Sequence, residues 1–378
     1  LLFFDCLNNI NITLTKHIYI KRKTISSAIK ILSLEGVPPF QVYSCDYALN
    51  NCQLVATLEN PVQAINDIIL PNLFDNSPNI IVKIISFDGC ETFKFLNCEN
   101  FPTPMTMIVA SPNSSNTIFE LPLVSDGVYD FDVDWGDGTS QKITEWDDAN
   151  KVHNYPDNGE YEIKIYIRKF IGWNFSYILI PQDTKNNLKS ITTIPSLDFY
   201  DGFGTFSTCN NLISFNGVPT ISTYKNLVGF FGDCLSLESV NGVWDLSGVE
   251  NISSLFFNCT SLTGGTINEW GLTMNNLINT SSAFENCYSF NGELDKWNMS
   301  GVTTMSSMFN NAASFNQDIG GWNVSGATDM GNMFRNAISF NQDLSGWCVT
   351  NIPTPPVDFD YGALLWVLPR PVWGTCPT

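Results

Sequence analysis

No run of apolar residues in this chain approaches the roughly 18 needed to span a bilayer as a helix. Histidine is almost absent, with only His17 and His153, and no Cys-x-x-Cys pair occurs. The Cys/His spacings that hold structural zinc are therefore missing. Basic residues are scarce: 18 against 37 acidic ones, a formal charge of −19. Nucleic-acid binding rests on cations that neutralise phosphates, so this balance argues against it. There is no glycine-rich phosphate loop and no strained nucleophile elbow. A Ser-His-Asp triad would have to use one of two unsupported histidines. No charged-then-apolar leader opens the sequence, and its first residue is Leu1. An upstream region is expected to precede it.

What is present suits several β-rich domains. The 378 residues leave room for two to four of them, 44% are hydrophobic, and an aromatic content of 13% favours strands. A strong acidic balance keeps copies of a displayed, soluble protein apart. The eleven cysteines form distinct groups. Cys6, Cys45, Cys52, Cys90 and Cys98 are irregularly spaced, Cys348 and Cys376 stand near the end, and Cys209, Cys234, Cys259 and Cys287 follow at intervals of 25, 25 and 28.

That interval belongs to a repeat. Residues 314–322, SFNQDIGGW, return at 339–347 as SFNQDLSGW. One phenylalanine sets the register: Phe206, Phe231, Phe256, Phe284, Phe309 and Phe334. Three residues after each stands Cys209, Cys234, Cys259, Cys287, Ala312 or Ala337, and Trp244, Trp270, Trp297, Trp322 and Trp347 run alongside. A fixed apolar skeleton at this period is the signature of a solenoid, whose coils bury their faces only against one another. The Cys/Ala column then needs a small side chain in a tight interior, so free thiols are expected there. Replacement by alanine in two coils rules out a disulfide or metal ladder. Phe215, six residues after Cys209, and Phe290, three after Cys287, are read as one further column. Each coil is expected to add a strand to a parallel sheet, giving a right-handed stack. Asn310-Asn311 against Arg335-Asn336, and Gly320-Gly321 against Ser345-Gly346, are read as exposed positions that vary between coils.

These residues carry a resemblance. MFNNAASFNQDIGGWNVSGATDM is similar to the 25-residue repeat of BspA-like surface proteins, a leucine-rich-repeat relative, over about residues 188–350. The resemblance implies display on a bacterial surface, and the beaded organisation of the chain suits a virion surface as well. The terminal PTPPVDFDYGALLWVLPRPVWGTCP departs from the repeat and is read as its cap.

Upstream, YDFDVDWGDGTS places Tyr129, Phe131, Val133 and Trp135 on one strand face and Asp130, Asp132 and Asp134 on the other. Gly136-Asp137-Gly138 supplies a tight turn. With His153 and Tyr155 in HNY, and Gly159 and Tyr161 in GEY, the pattern resembles the PKD domain, an immunoglobulin-like β-sandwich. Asp130-x-Asp132-x-Asp134 also opens like an EF-hand, but its glycine comes one position late and its twelfth residue is Gln141. Calcium is therefore the minor alternative to a solvated strand face and a hairpin turn. No other cofactor is implied.

The expected fold is mainly β: tandem β-sandwich modules followed by a leucine-rich-repeat-type solenoid. Residues 1–8 are read as the end of a preceding module, since FFDC echoes FLNC at 95–98. Residues 9–99 form a β-sandwich module, 100–182 the PKD-like sandwich, 183–350 the repeats and 351–378 the cap. Residues 17–23, HIYIKRK, are read as a charged edge strand. Cys45 and Cys52 bracket a turn-like hexapeptide and could close it in an oxidising compartment. The expected function is non-enzymatic adhesion or recognition, with a protein or glycan on a cell surface as partner, neither nucleic acid nor membrane engaged, and homo-oligomerisation or a larger fibre open. A structural fibre or decoration protein of a virion is the alternative.

Overall fold

The structure, a computed structural model, describes residues 104–111, 117–176, 180–194, 199, 202–221 and 223–377, and the backbone of nine strands among the first hundred residues. The chain divides into two compact units, Leu1–Phe101 and Pro102–Thr378.

In the first unit, β1 (Ile12–Thr13), β4 (Ala28–Ile31) and β7 (Ile65–Ile69) make one sheet, and β2 (Tyr19–Lys21) and β3 (Thr24–Ser26) a ribbon. β5 (Phe40–Cys45), β6 (Cys52–Leu58), β8 (Asn79–Ile85) and β9 (Glu91–Asn97) form a second sheet in the order β6-β5-β8-β9. The alternating isoleucines thus lie on β8, the basic run contains β2, and Cys45 is the register partner of Cys52. Residues 1–8, Cys90 and Cys98 lie outside the described residues.

The second unit is built on one mixed sheet. Its strands are β10 (Met105–Ser111), β12 (Leu123–Asp134), β13 (Ser140–Ile143), β15 (Gly159–Trp173), β16 (Leu188–Thr193), β17 (Ser214–Asn216), β18 (Ser239–Asn241) and β19 (Gly264–Gly265). They lie in the order β13-β12-β15-β10-β16-β17-β18-β19. Pairing is antiparallel as far as β16 and parallel beyond it. A small pair, β11 (Ile118–Glu120) with β14 (Val152–Asn154), and a short helix, α1 (Gln182–Asn187), complete the upstream part.

Alternation explains the upstream strands. Tyr129, Phe131 and Val133 of β12 and Ile163 and Ile165 of β15 are buried. From the opposite face of β12, Asp130 and Asp132 bind Arg168 of β15 at 2.8 and 2.5 Å, and Lys142 of β13 lies 3.3 Å from Asp130. Where β12 bulges between Leu123 and Val128, the Tyr129 hydroxyl bonds to both backbone groups of Val124 and to Gly172 O.

The repeats stack. Main-chain N–H groups beside each column phenylalanine donate to the next coil: Phe231 to Leu255 O, Phe256 to Ala283 O, Phe284 to Met308 O, Phe309 to Met333 O, all at 2.9–3.0 Å. Two expectations need correction. Only the coils as far as β19 add a strand to the sheet; later ones are joined by single bridges, Asn251 to Asn279 to Thr304 to Asp329. Coil length is unchanged, but at the distance after Cys/Ala where 214–216 and 239–241 carry Ser-Phe-Asn and Ser-Val-Asn, the later coils carry Gly-Glu-Leu, Gln-Asp-Ile and Gln-Asp-Leu at 292–294, 317–319 and 342–344, and no strand forms there. Phe290 also does not share a column with Phe215. The N–H groups of Leu212, Leu237, Leu262, Phe290, Phe315 and Phe340 all donate to the carbonyl three residues before, at Cys or Ala. These six form one column, and the parallel register aligns Phe215 with Val240 and Gly265 instead.

Residues 351–377 continue the stack. Phe334 N–H donates to Phe359 O (2.8 Å), Asn336 to Tyr361 O (2.7 Å) and Leu344 to Pro369 O (2.9 Å). A Cys348–Cys376 disulfide ties this last coil down.

Candidate recognition surface

A surface is defined by what the interior fixes, and here the interior is a set of columns. Phe206, Phe231, Phe256, Phe284, Phe309 and Phe334 are completely buried. Neighbouring rings lie with centroids 5.5–5.9 Å apart and planes nearly parallel. Where the Phe215 column is lost, the Leu position has become phenylalanine, and Phe290, Phe315 and Phe340 stack within their own coils at 4.0–4.2 Å. The larger side chain at the Leu position fills the volume that the Phe215 and Val240 side chains occupy in the earlier coils, as close packing requires.

Cys209, Cys234, Cys259 and Cys287 are buried free thiols. The last three donate to the carbonyls of Phe206, Phe231 and Phe256, one coil back, at 3.0–3.1 Å. Burial holds all four well above the usual thiol range, so they stay protonated. The tryptophans use the same logic. Trp244, Trp270, Trp297, Trp322 and Trp347 are buried and donate Nε1–H to Gly217, Gly242, Ile267, Leu294 and Ile319 carbonyls at 2.9–3.1 Å.

Two further columns escape a reading by hydrophobicity. Each coil has a left-handed residue two before its phenylalanine: Gly204, Gly229, Ser254, Ser282, Ser307 and Asn332. Another lies two after it: Thr208, Asp233, Asn258, Asn286, Asn311 and Asn336. Side-chain amides of the second set form a ladder, Asn258 to Asp233, Asn286 to Asn258, Asn311 to Asn286 and Asn336 to Asn311, at 2.6–2.9 Å. Asparagine tolerates this backbone region better than other non-glycine residues, and here its amide is also used. The one available signal was the recurrence of Asn two places after Phe.

This corrects one expected surface. Asn310 is buried, with Nδ2 on Glu285 (2.9 Å), and Asn311 and Asn336 belong to the ladder. Gly321, Ser345 and Gly346 are exposed and Gly320 is half-buried. The SFNQD motif is itself structural. Asn316 N–H donates to Asn291 Oδ1 and Gln317 reaches back to Asn291, and Asn341 and Gln342 repeat both contacts on Asn316. Asp318 then caps the turn at Gly320 N–H. The recurring Asn-x-Ser triplets are turns of the same kind, as Asn298 Oδ1 accepting from Ser300 and Asn323 Oδ1 from Ser325 illustrate.

The upstream motif residues also converge. Trp135 is stacked on His153 at 4.7 Å, and His153 Nε2 lies 2.7 Å from Asp137 Oδ2. Tyr155 meets His153 edge-on, donates to Trp135 O and stacks on Tyr161. Gly136 and Gly138 take positive φ around Asp137, which accepts from Thr139 N–H and Oγ1–H, and Gly159 opens β15. Burial pushes the Asp137 carboxyl up, but the bonds from Thr139 and His153 together bring it below its usual range. Burial raises Asp134. The two aspartates that would begin a calcium loop, Asp130 and Asp132, are engaged by Arg168. No group of three His, Cys, Asp or Glu among the described residues is placed to hold a metal ion, and none of their helices is long and apolar enough to cross a membrane.

The arrangement is a repeating scaffold with short polar segments exposed between fixed columns. Comparison with known families finds a match within this part of the chain. Residues 204–276 and 265–357 each match the family described as Mycoplasma protein of unknown function, DUF285. Residues 204–357 thus consist of DUF285-type repeats. Neither a curated protein nor a solved structure gives a significant match.

Proposed function

We propose that this chain is a displayed, non-enzymatic recognition protein whose repeat stack is a leucine-rich-repeat-type solenoid of the BspA-like kind. Residues 100–182 are a PKD-like sandwich leading into it, and residues 1–99 extend the stalk. The observation that carries the reading is the division of labour within each coil. Phe, Cys/Ala, Trp and Asn columns are spent on stacking, whereas the equivalent turn positions Asp295-Lys296, Gly320-Gly321 and Ser345-Gly346, exposed but for the half-buried Gly320, differ from one coil to the next. Such a surface offers many modest contacts to a glycan or protein, multiplied by display in many copies. The Cys348–Cys376 disulfide supports an oxidising compartment outside the cell.

The unbroken sheet from β13 to β19 favours a second reading, a structural component of a fibre or virion, because it suits load transmission. Glycan-array and cell-binding assays with the whole chain separate the two. Saturable binding that Gly321→Glu with Ser345→Glu weakens at unchanged melting temperature supports recognition. Release of sugar products would overturn it in favour of an enzyme, and absence of any binding would favour the structural reading.

A further inference from the structure

The last coil turns apolar side chains outward. Val357, Tyr361, Leu364, Leu365, Val367 and Val372 are between 59% and 80% exposed. An end coil normally presents a polar outer face, because no neighbour covers it. These six side chains leave on the order of 700 Å² open, above the few-hundred-Å² patch of an ordinary monomer and close to the roughly 800 Å² per partner of a stable interface.

The main chain of this coil is closed. Pro353, Pro355, Pro356, Pro369 and Pro371 have no N–H to offer. The N–H groups of Phe359, Tyr361 and Ala363 turn back to Pro356, Asp358 and Asp360 carbonyls at 3.1–3.3 Å. In the preceding coil the counterparts of the first two, Phe334 and Asn336, donate onward to the next coil. A further repeat or an added strand therefore lacks the donors it needs at these positions. Whatever covers the face does so by side-chain packing.

Charge selects the occupant. The chain carries −19, yet residues 351–378 contain only Asp358, Asp360 and Arg370. Arg370 Nε bonds Asp360 Oδ2 at 3.0 Å, and Asp358 lies 3.8 Å from Arg335. A basic partner would be drawn to the acidic surfaces elsewhere, whereas a second acidic copy is repelled least here. We propose that this face is the interface of a homodimer, two copies packing last coil against last coil about a two-fold axis. A patch that is apolar and nearly neutral is complementary to itself, as an isologous contact requires. Pairing would also double the recognition surfaces on each particle, a consequence that rests on the proposed function; the dimer itself does not.

Sedimentation equilibrium of the 378-residue chain, up to about 100 µM, tests this. The expected result is a dimer that Leu364→Glu with Val367→Glu weakens at least about 100-fold, while Ile278→Glu, on an exposed position of another coil, leaves it intact. Both substituted positions are exposed, so melting by circular dichroism should match the parent. If it does not, the neutral pair Leu364→Asn with Val367→Thr replaces them, with the same direction expected. A monomer throughout the range overturns the proposal, as does a dimer indifferent to both pairs. Flotation with neutral phosphatidylcholine vesicles, lost in the same variants while the chain stays monomeric, would overturn it by assigning the face to lipid.

Discussion

Asn311 shows how much a single residue can carry in a repeat. Its backbone is left-handed, at φ 59°, and its side chain both donates to Asn286 and accepts from Asn336. The two contributions can be separated. Asn311→Gly keeps the backbone conformation and loses the ladder, while Asn311→Ala loses the ladder and strains the backbone by about 1–2 kcal/mol. Urea unfolding should therefore rank parent, Gly variant, Ala variant, the last lowest. Equal values for Gly and Ala would show that φ costs nothing here. Phe309 sits at the other extreme, pure packing. It is fully buried between Phe284 and Phe334 and lies on Phe315 at 4.0 Å. Phe309→Ala is expected to cost about 3–5 kcal/mol, as truncation of a buried aromatic does; an unchanged urea midpoint would mean that the column is not a core. The period made the phenylalanine legible at once. The asparagine was hidden, because a polar residue in a polar, Asn-rich segment reads as surface until its hydrogen bonds are known.

At the scale of the coil, the thiol column couples stability to pH. The sign follows from burial. All four thiols have folded pKa values above the unfolded one, so in alkali the unfolded chain loses protons that the folded chain keeps. Stability is full below the unfolded cysteine pKa, near 8.5, and falls as pH rises through and beyond it. By pH 10 the loss is about 2 kcal/mol per thiol. Thermal melts from pH 7 to 10 should show this decline. A Cys209/Cys234/Cys259/Cys287→Ala variant should flatten it, since Ala312 and Ala337 already serve in the same column. An equal decline in that variant would place the alkaline sensitivity elsewhere. The coil also shows why one alignment from sequence misled. Ser214-Phe215-Asn216-Gly217 and Ser289-Phe290-Asn291-Gly292 are identical tetrapeptides. One carries strand β17, and the other begins three positions closer to its cysteine and drops its ring into the leucine column. Identity of residues lost to constancy of hydrogen-bond register, which only coordinates reveal. Phe359 was missed for the opposite reason: it keeps the 25-residue interval from Phe334, but proline-rich surroundings disguise it.

At the scale of the molecule, the decisive feature is β10, which pairs with β15 on one side and with β16 on the other. The antiparallel strands and the repeats were legible separately, each from its own periodicity. Their union was not, because pairing Met107 with Ile191 links strands more than eighty residues apart and leaves no local pattern. The junction is reinforced beyond the sheet: Phe175 N–H donates to Thr205 O, its ring lies 5.8 Å from Phe206, and Asn187 reaches Ile118 O. Cutting the chain before residue 188 would bare the edge of β16 and uncover the first phenylalanine of the column. An open edge beside exposed aromatic rings is an aggregation site. Loss of the Phe175 contact alone should cost about 3–5 kcal/mol. Residues 102–378 are therefore expected to express as a folded fragment whose cooperative melt resembles that of the same unit in the whole chain. Residues 188–378 should aggregate on size exclusion or melt at a markedly lower temperature. If the shorter fragment melted as cooperatively and as high as the longer one, the stack would not need its upstream sheet, and β10 would be a neighbour and not a cap.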